Sequence, residues 1–281
     1  METELMRRIL IGGAVLALVV AGVILAQWEW FQPIFGGLTA LVAAVAQWEY
    51  YRLATHKGAR PAVWMGIGAG VFFLAIHWFQ SVGWLPTGMS ALGLGLAGFA
   101  VACFFLIRRD QGITGLATSI FGILYVVIPF GLLFDLLFYY PAHHATSGWW
   151  WFFYIVGVTV LSDMGAYFTG RLFGRHRLAP NLSPGKTWEG TAGGVVIGVA
   201  FAIVWWLFGM DQLIFWWAVV LGAILAIVGQ VADLVESLFK RDAGVKDSNQ
   251  VPGLGGVLDV VDSLLFSVPA GYIFMRLFIG S

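Results

Sequence analysis

Four polar side chains, Asp233, Glu236, Ser237 and Lys240, recur at intervals of three, four and seven residues, a spacing that puts them on one face of a helix. Asp259 and Asp262, three apart, share a face in the same way. Where the two helix ends meet, Asp233, Asp259 and Asp262 are expected to converge. Two carboxylates about 4 Å apart repel by roughly 4 kcal/mol at an effective dielectric of 20, so such a cluster calls for a cation or a proton. With neither His nor Cys beside them, these hard oxygen donors favour Mg2+ or a similar ion, whose remaining positions go to water and substrate phosphate. Solvated helix caps are the plainer account of the same acids.

A second constellation, SPGKTWEG at 183–190, suits phosphate. Ser183 and Thr187 offer hydroxyls, Gly185 lets the backbone approach closely, Lys186 supplies a compact charge, and a helix expected directly after Trp188 places free amides nearby. The pattern GxxxxGK[ST] is absent, and a Pro-Gly turn ahead of a capped helix accounts for the segment equally well. Arg171, Arg175 and Arg177 strengthen the phosphate reading, although basic loops also attract anionic lipid at a cytoplasmic face. A third polar point, Asp163 in SDMGAYFTGRLFGRHRLAP, lies about two turns inside the end of an apolar run.

The elements that must position these groups are membrane helices. The 281 residues are 60% hydrophobic and 11% charged, with 14 Trp and 23 Phe, too little polar surface to cover a soluble globule of this size. The expected fold is an all-α polytopic bundle of about nine transmembrane helices, near 9–26, 34–53, 62–80, 89–107, 113–138, 149–168, 191–208, 213–236 and 257–279. Basic residues gather in alternate connections: Arg7 and Arg8; Arg52, Lys57 and Arg60; Arg108 and Arg109; Arg171, Arg175, Arg177 and Lys186; Lys240, Arg241 and Lys246. Only Arg276 falls on the other side, which places the amino terminus in the cytoplasm of a cell (inner) membrane protein. The first run reads as an uncleaved anchor, because its apolar stretch is long for a signal core. The single cysteine, Cys103, excludes a disulfide framework and a cysteine metal site.

Residues 1–150 read as structural membrane helices open to lipid or oligomer contacts, a homodimer among them, and 151–281 as the catalytic membrane domain. QWEW at 27–30 and QWEY at 47–50 are expected as interfacial belts, with Glu49 kept as a residue standing behind the site. Pro129 is expected to kink the fifth helix, and His143 and His144 to be solvated on the far side. All three polar constellations fall on the cytoplasmic side. Carboxylates, a phosphate cradle and a lipid-accessible bundle together point to phosphoryl or nucleotidyl transfer onto a lipid, chemistry that rests on positioning and charge neutralisation. Intramembrane acids also mark transporters, but such sites tend to lie near the midplane between repeated halves. Nothing in the chain points to nucleic acid.

The same residues resemble the phosphatidate cytidylyltransferase family, the CDP-diglyceride synthases. Ser237, Lys240, Arg241, Lys246, Asp247, Pro252, Gly253, Gly255, Gly256, Asp259 and Asp262 follow its long loop pattern. Asp163, Gly165, Ala166 and Tyr167 follow its DxGAY, and Ser183, Pro184, Lys186, Thr187, Glu189 and Gly190 its SPxKTxEG. The resemblance implies an enzyme joining CTP to phosphatidic acid, with Mg2+ as cofactor and membrane lipids as partners. It assigns Asp233 and Asp259 to the metal, with Asp262 and Asp163 in support. Ser183, Lys186, Thr187 and Glu189 would then lie with the substrates, together with Arg241 and Asp247, and Lys240 and Lys246 would neutralise phosphate charge. Leu254 stands where the family has His and Val260 where it has Arg; both are expected as apolar contacts against neighbouring helices. A CTP-dependent kinase or cytidylyltransferase acting on a polyprenol or ether lipid is the rival reading.

Overall fold

The computed structural model describes residues 17–109, 112–139, 148–209, 213–249 and 255–278. Arg7, Arg8, the first half of the expected first span, His143, His144, Pro252, Gly253 and Leu254 lie outside the described residues. After a helical stretch at 17–25 come α1 (Gln32–His56), α2 (Val63–Ser81), α3 (Met89–Arg108), α4 (Gly112–Tyr139) and α5 (Gly148–Phe173). A short antiparallel hairpin follows, β1 (Arg177–Ala179) with β2 (Ser183–Thr187), then α6 (Trp188–Leu207), α7 (Phe215–Asp242) and α8 (Val257–Phe278). The all-α polytopic bundle expected from hydropathy is what forms: α2 through α8 are seven helices long and apolar enough to cross a membrane among the described residues. The 34–53 run forms α1, but that helix is not among the seven.

Two compact units make up the chain. One comprises residues 1–134 with 242–261, the other 135–241 with 262–281. In the first unit Tyr51 is fully buried, and its ring occupies space that exists because Gly66 and Gly122 have no side chain. Its hydroxyl donates to the Ser119 carbonyl at 2.7 Å and accepts from Gln47 Nε2 at 2.9 Å, tying α1 to α4. QWEY is therefore not a belt: Gln47 and Glu49 are 0% exposed and Tyr50 is buried beside them. Within α4, Ile123–Val127 is a π-helical turn in which the Ile128 amide bonds to the Ile123 carbonyl. The wide turn lies directly ahead of Pro129, which has no amide to give, so the irregularity expected at that proline is taken up as π geometry.

The second unit is organised by the crossing of α5 and α6. Gly190, Gly194, Gly198 and Ala202 recur every fourth residue along α6 and are all buried, a stripe of small residues that lets two backbones approach closely. A Cβ on Gly194 would stand 2.7 Å from the Ser162 carbonyl and 2.8 Å from Gln230 Nε2. Gly194→Val is accordingly expected to cost about 1–3 kcal/mol through overpacking. A lower thermal unfolding midpoint in detergent would register it, and an unchanged midpoint would mean the crossing is slack. At one end of this pair the Trp150 and Trp205 rings pack edge to face, and Trp205 Nε1 donates to the Trp150 carbonyl at 3.1 Å. The polar groups lie at the other end, where α5 finishes and α6 begins.

Candidate active site

The α7 face carries the acids as their spacing requires. Asp233 and Glu236 meet Asp262 from α8, each placing one carboxylate oxygen within 4.8 Å of the others. Glu236 and Asp262 are buried, at 1% and 8% exposure, so their charges need close partners. Lys240 Nζ stands 2.6 Å from Glu236 Oε2, and Lys186 Nζ stands 2.6 Å from Asp233 Oδ2 while also donating to the Gln230 carbonyl at 3.1 Å. Ser237 Oγ donates to Asp233 Oδ1 at 3.5 Å. Ser263 Oγ lies 3.1 Å from Asp163 Oδ2 and 3.2 Å from Asp262 Oδ1, and its single hydrogen can serve only one of them at a time. Counted as ionised, Asp163, Asp233, Glu236 and Asp262 would set four negative charges against Lys186 and Lys240 and leave two over, an excess that calls for protons or a cation. An oxygen-only donor group with that excess suits one hard divalent ion. Glu236 was not among the candidates for the site, although the same three-residue step from Asp233 pointed to it.

SPGKT is a strand and not the Pro-Gly turn that its sequence suggests. Arg177 pairs with Thr187 and Ala179 with Ser183, while the reversal falls at 180–182, where the Leu182 amide bonds to the Ala179 carbonyl at 3.2 Å. Thr187 then caps α6, its Oγ1 accepting from the Gly190 amide at 3.1 Å. Glu189 holds the chain before the hairpin, accepting from the Arg175 and His176 amides at 3.1 and 3.2 Å and meeting His176 Nδ1 at 2.6 Å. Arg241 Nε donates to the Leu182 carbonyl at 3.2 Å. Thr187, Glu189 and Arg241 thus brace the hairpin, and Lys186 is the member of the motif that reaches the acids.

Beside this hairpin lies a pocket of about 670 Å³ whose lining includes Arg171, Arg175, Arg177, Lys186, Ser183, Asp163 and Asp233. Four cations facing two carboxylates make an environment for polyphosphate with a counter-ion. Gln230, overlooked in the sequence, joins the pocket wall to the α5–α6 crossing: its Nε2 donates to Ser162 Oγ at 3.2 Å and to the Thr191 carbonyl at 3.4 Å.

The remaining candidates belong to the first unit. Asp259 is the third residue of α8 and reaches back to the amide just before the helix, with Oδ2 accepting from Gly256 at 2.7 Å and from Ser248 at 3.1 Å. That is the acid half of a capping box. Gly255 takes a φ of +79° to let the chain enter the helix, a conformation that side chains disfavour. Lys246 and Asp247 are exposed and line a smaller pocket of about 300 Å³ with Arg52 and His56. Beneath them the buried Glu49 accepts from Ser248 Oγ at 3.2 Å, Asn249 Nδ2 at 2.9 Å and the Leu258 amide at 2.7 Å. Val260, in the first turn of α8, is 41% exposed.

Residues 6–278 match the cytidylyltransferase family. The phosphatidate cytidylyltransferase of Chlamydia pneumoniae is 32% identical over 258 residues, 85% of this chain and 82% of that protein. Those of Haemophilus influenzae and Bacillus subtilis are 44% and 43% identical over 113 and 118 residues, stretches that cover 39% and 44% of those two proteins.

Proposed function

We propose that this chain, which belongs to the cytidylyltransferase family, joins CTP to phosphatidic acid to give CDP-diacylglycerol and pyrophosphate. The observation that carries the reading is the Lys186–Asp233 pair, which sets a phosphate-binding ammonium directly against an oxygen-donor group at the wall of a cation-lined pocket. A phosphate oxygen of phosphatidic acid attacks the α-phosphorus of CTP, a new P–O bond forms, and the bond from that phosphorus to the β-bridging oxygen breaks as pyrophosphate leaves. The lipid phosphate needs no strong base, since its second ionisation lies near pH 6 and it is largely dianionic at neutrality. Lys186 and Ser183 hold phosphate oxygens, and Arg171, Arg175 and Arg177 draw the triphosphate into the pocket. Lys240, Arg241 and Lys246 add positive charge on the same reading. Asp233, Glu236 and Asp262 would hold Mg2+ through their oxygens, with Asp259 added by the resemblance. Such an ion supplies charge neutralisation and orientation of phosphate oxygens.

The protein is a multi-pass membrane protein; we place it in the cell inner membrane, and the distribution of Lys and Arg supports this chemistry on the cytoplasmic side. Purified protein in mixed micelles with Mg2+, phosphatidic acid and CTP labelled at either the α- or the γ-phosphorus tests the reading. Label from the α-position is expected in the lipid product, with release of pyrophosphate. Label from the γ-position, with release of CDP, would establish a CTP-dependent kinase instead, and a panel of polyprenyl and ether-lipid acceptors would then name its substrate.

A further inference from the structure

Glu49 lies in the half of the chain that carries no recognisable motif, yet it is 0% exposed and its carboxylate accepts three hydrogen bonds from residues 199 to 209 positions later. A buried carboxylate is costly unless donors compensate it. Here all three donors belong to the segment that bears Lys246, Asp247 and Asp259: the Ser248 hydroxyl, the Asn249 amide group and the Leu258 backbone amide. The packing there leaves no slack. A Cβ on Gly256 would collide with Ser248 Oγ and stand 2.6 Å from Glu49 Oε2. Asp259 completes the arrangement from the other side by accepting from the amides of Ser248 and Gly256. Two carboxylates therefore grip one loop, Glu49 from beneath and Asp259 from the helix that the loop enters.

We propose that Glu49 is a positioning residue for the transfer reaction: it fixes the 246–249 turn and the start of α8, and through them the places of Lys246, Asp247 and Asp259. This role rests on the function proposed above. It is distinct from holding the bundle together, because two of the donors lie in the 248–249 turn and the third is a first-turn amide of α8, which has no partner within its own helix.

The donor pattern selects the variants. Glu49→Gln keeps volume but turns an NH2 group toward a donor, so one of the three bonds is lost or inverted. Adding Asn249→Asp supplies an acceptor for that NH2 group and should restore the grip. Glu49→Gln is expected to lower kcat about 10–100-fold, the usual effect of removing a group that orients an active residue. The KM for CTP and the unfolding midpoint should stay close to wild type, amide hydrogen exchange at Ser248, Gly256 and Leu258 should quicken, and the Glu49→Gln/Asn249→Asp pair should recover most of the rate. An active wild type with kcat unchanged by Glu49→Gln, or with kcat and unfolding midpoint falling together and no recovery in the pair, overturns the role while leaving the reaction in place. A wild type that transfers no cytidylyl group to phosphatidic acid removes the reading of function and this role with it.

Discussion

Asp233→Asn is expected to lower cytidylyl transfer by roughly 10²–10³-fold, the scale on which removal of one preorganised electrostatic group acts. The amide keeps the shape of the side chain and the bond from Ser237, but it removes the negative charge that faces Lys186 and adjoins Glu236 and Asp262. Raising Mg2+ should recover part of the rate, because a weakened oxygen-donor group needs more ion to fill it. Initial rates across a Mg2+ series measure both effects. A variant with wild-type turnover at every Mg2+ concentration would take Asp233 out of the chemistry.

Lys186→Ala is expected to cost about 100-fold or more in kcat/KM, with Lys186→Arg recovering little. The ammonium fits between Asp233 Oδ2 and the Gln230 carbonyl as a compact donor, and a planar guanidinium cannot make both contacts from the same strand position. The unfolding midpoint of each variant separates lost chemistry from lost folding, because the two side chains are only 20% and 35% exposed and removing one leaves the other charge uncompensated. The decisive measurement is a double-mutant cycle in kcat/KM with Asp233→Asn, where the two losses should fall short of adding because the residues are directly paired. Kinetics untouched by Lys186→Ala would return SPGKT to the status of a structural hairpin.

Hydropathy made the membrane helices readable, since a run of apolar residues long enough to cross a bilayer is a local signal. Periodicity made the α7 face readable, and with it the meeting of Asp233 and Asp262. What escaped was set by contacts between distant segments. The Pro-Gly pair of SPGKT reads as a turn, and only pairing with Arg177–Ala179 makes it a strand. Nothing near Lys186 announces that its partner is Asp233, and nothing near Glu189 announces that its carboxylate will collect the Arg175 and His176 amides. Glu49 sits next to tryptophan and tyrosine near a helix end, the company of an interfacial belt, and its burial depends on a loop encoded at the other end of the chain. The cap made by Asp259 was more accessible, because an acid three residues after a glycine at a helix start is a local pattern.

The bonds from Glu49 to Ser248, Asn249 and Leu258 also have a meaning in time. A ribosome adding roughly 5–20 residues per second delivers the amino-terminal helices first. Glu49 and Leu258 are 209 residues apart, so at that pace about 10–40 s separate the acid from its last donor. During biogenesis α1 therefore waits with an unanswered carboxylate, and a nascent chain halted before residue 248 carries an acid that water, lipid headgroups or an insertion factor must shelter. The loop closes on Glu49 only after residues 248–258 have been made, so the buried acid is a marker of whether that segment has been delivered to α1.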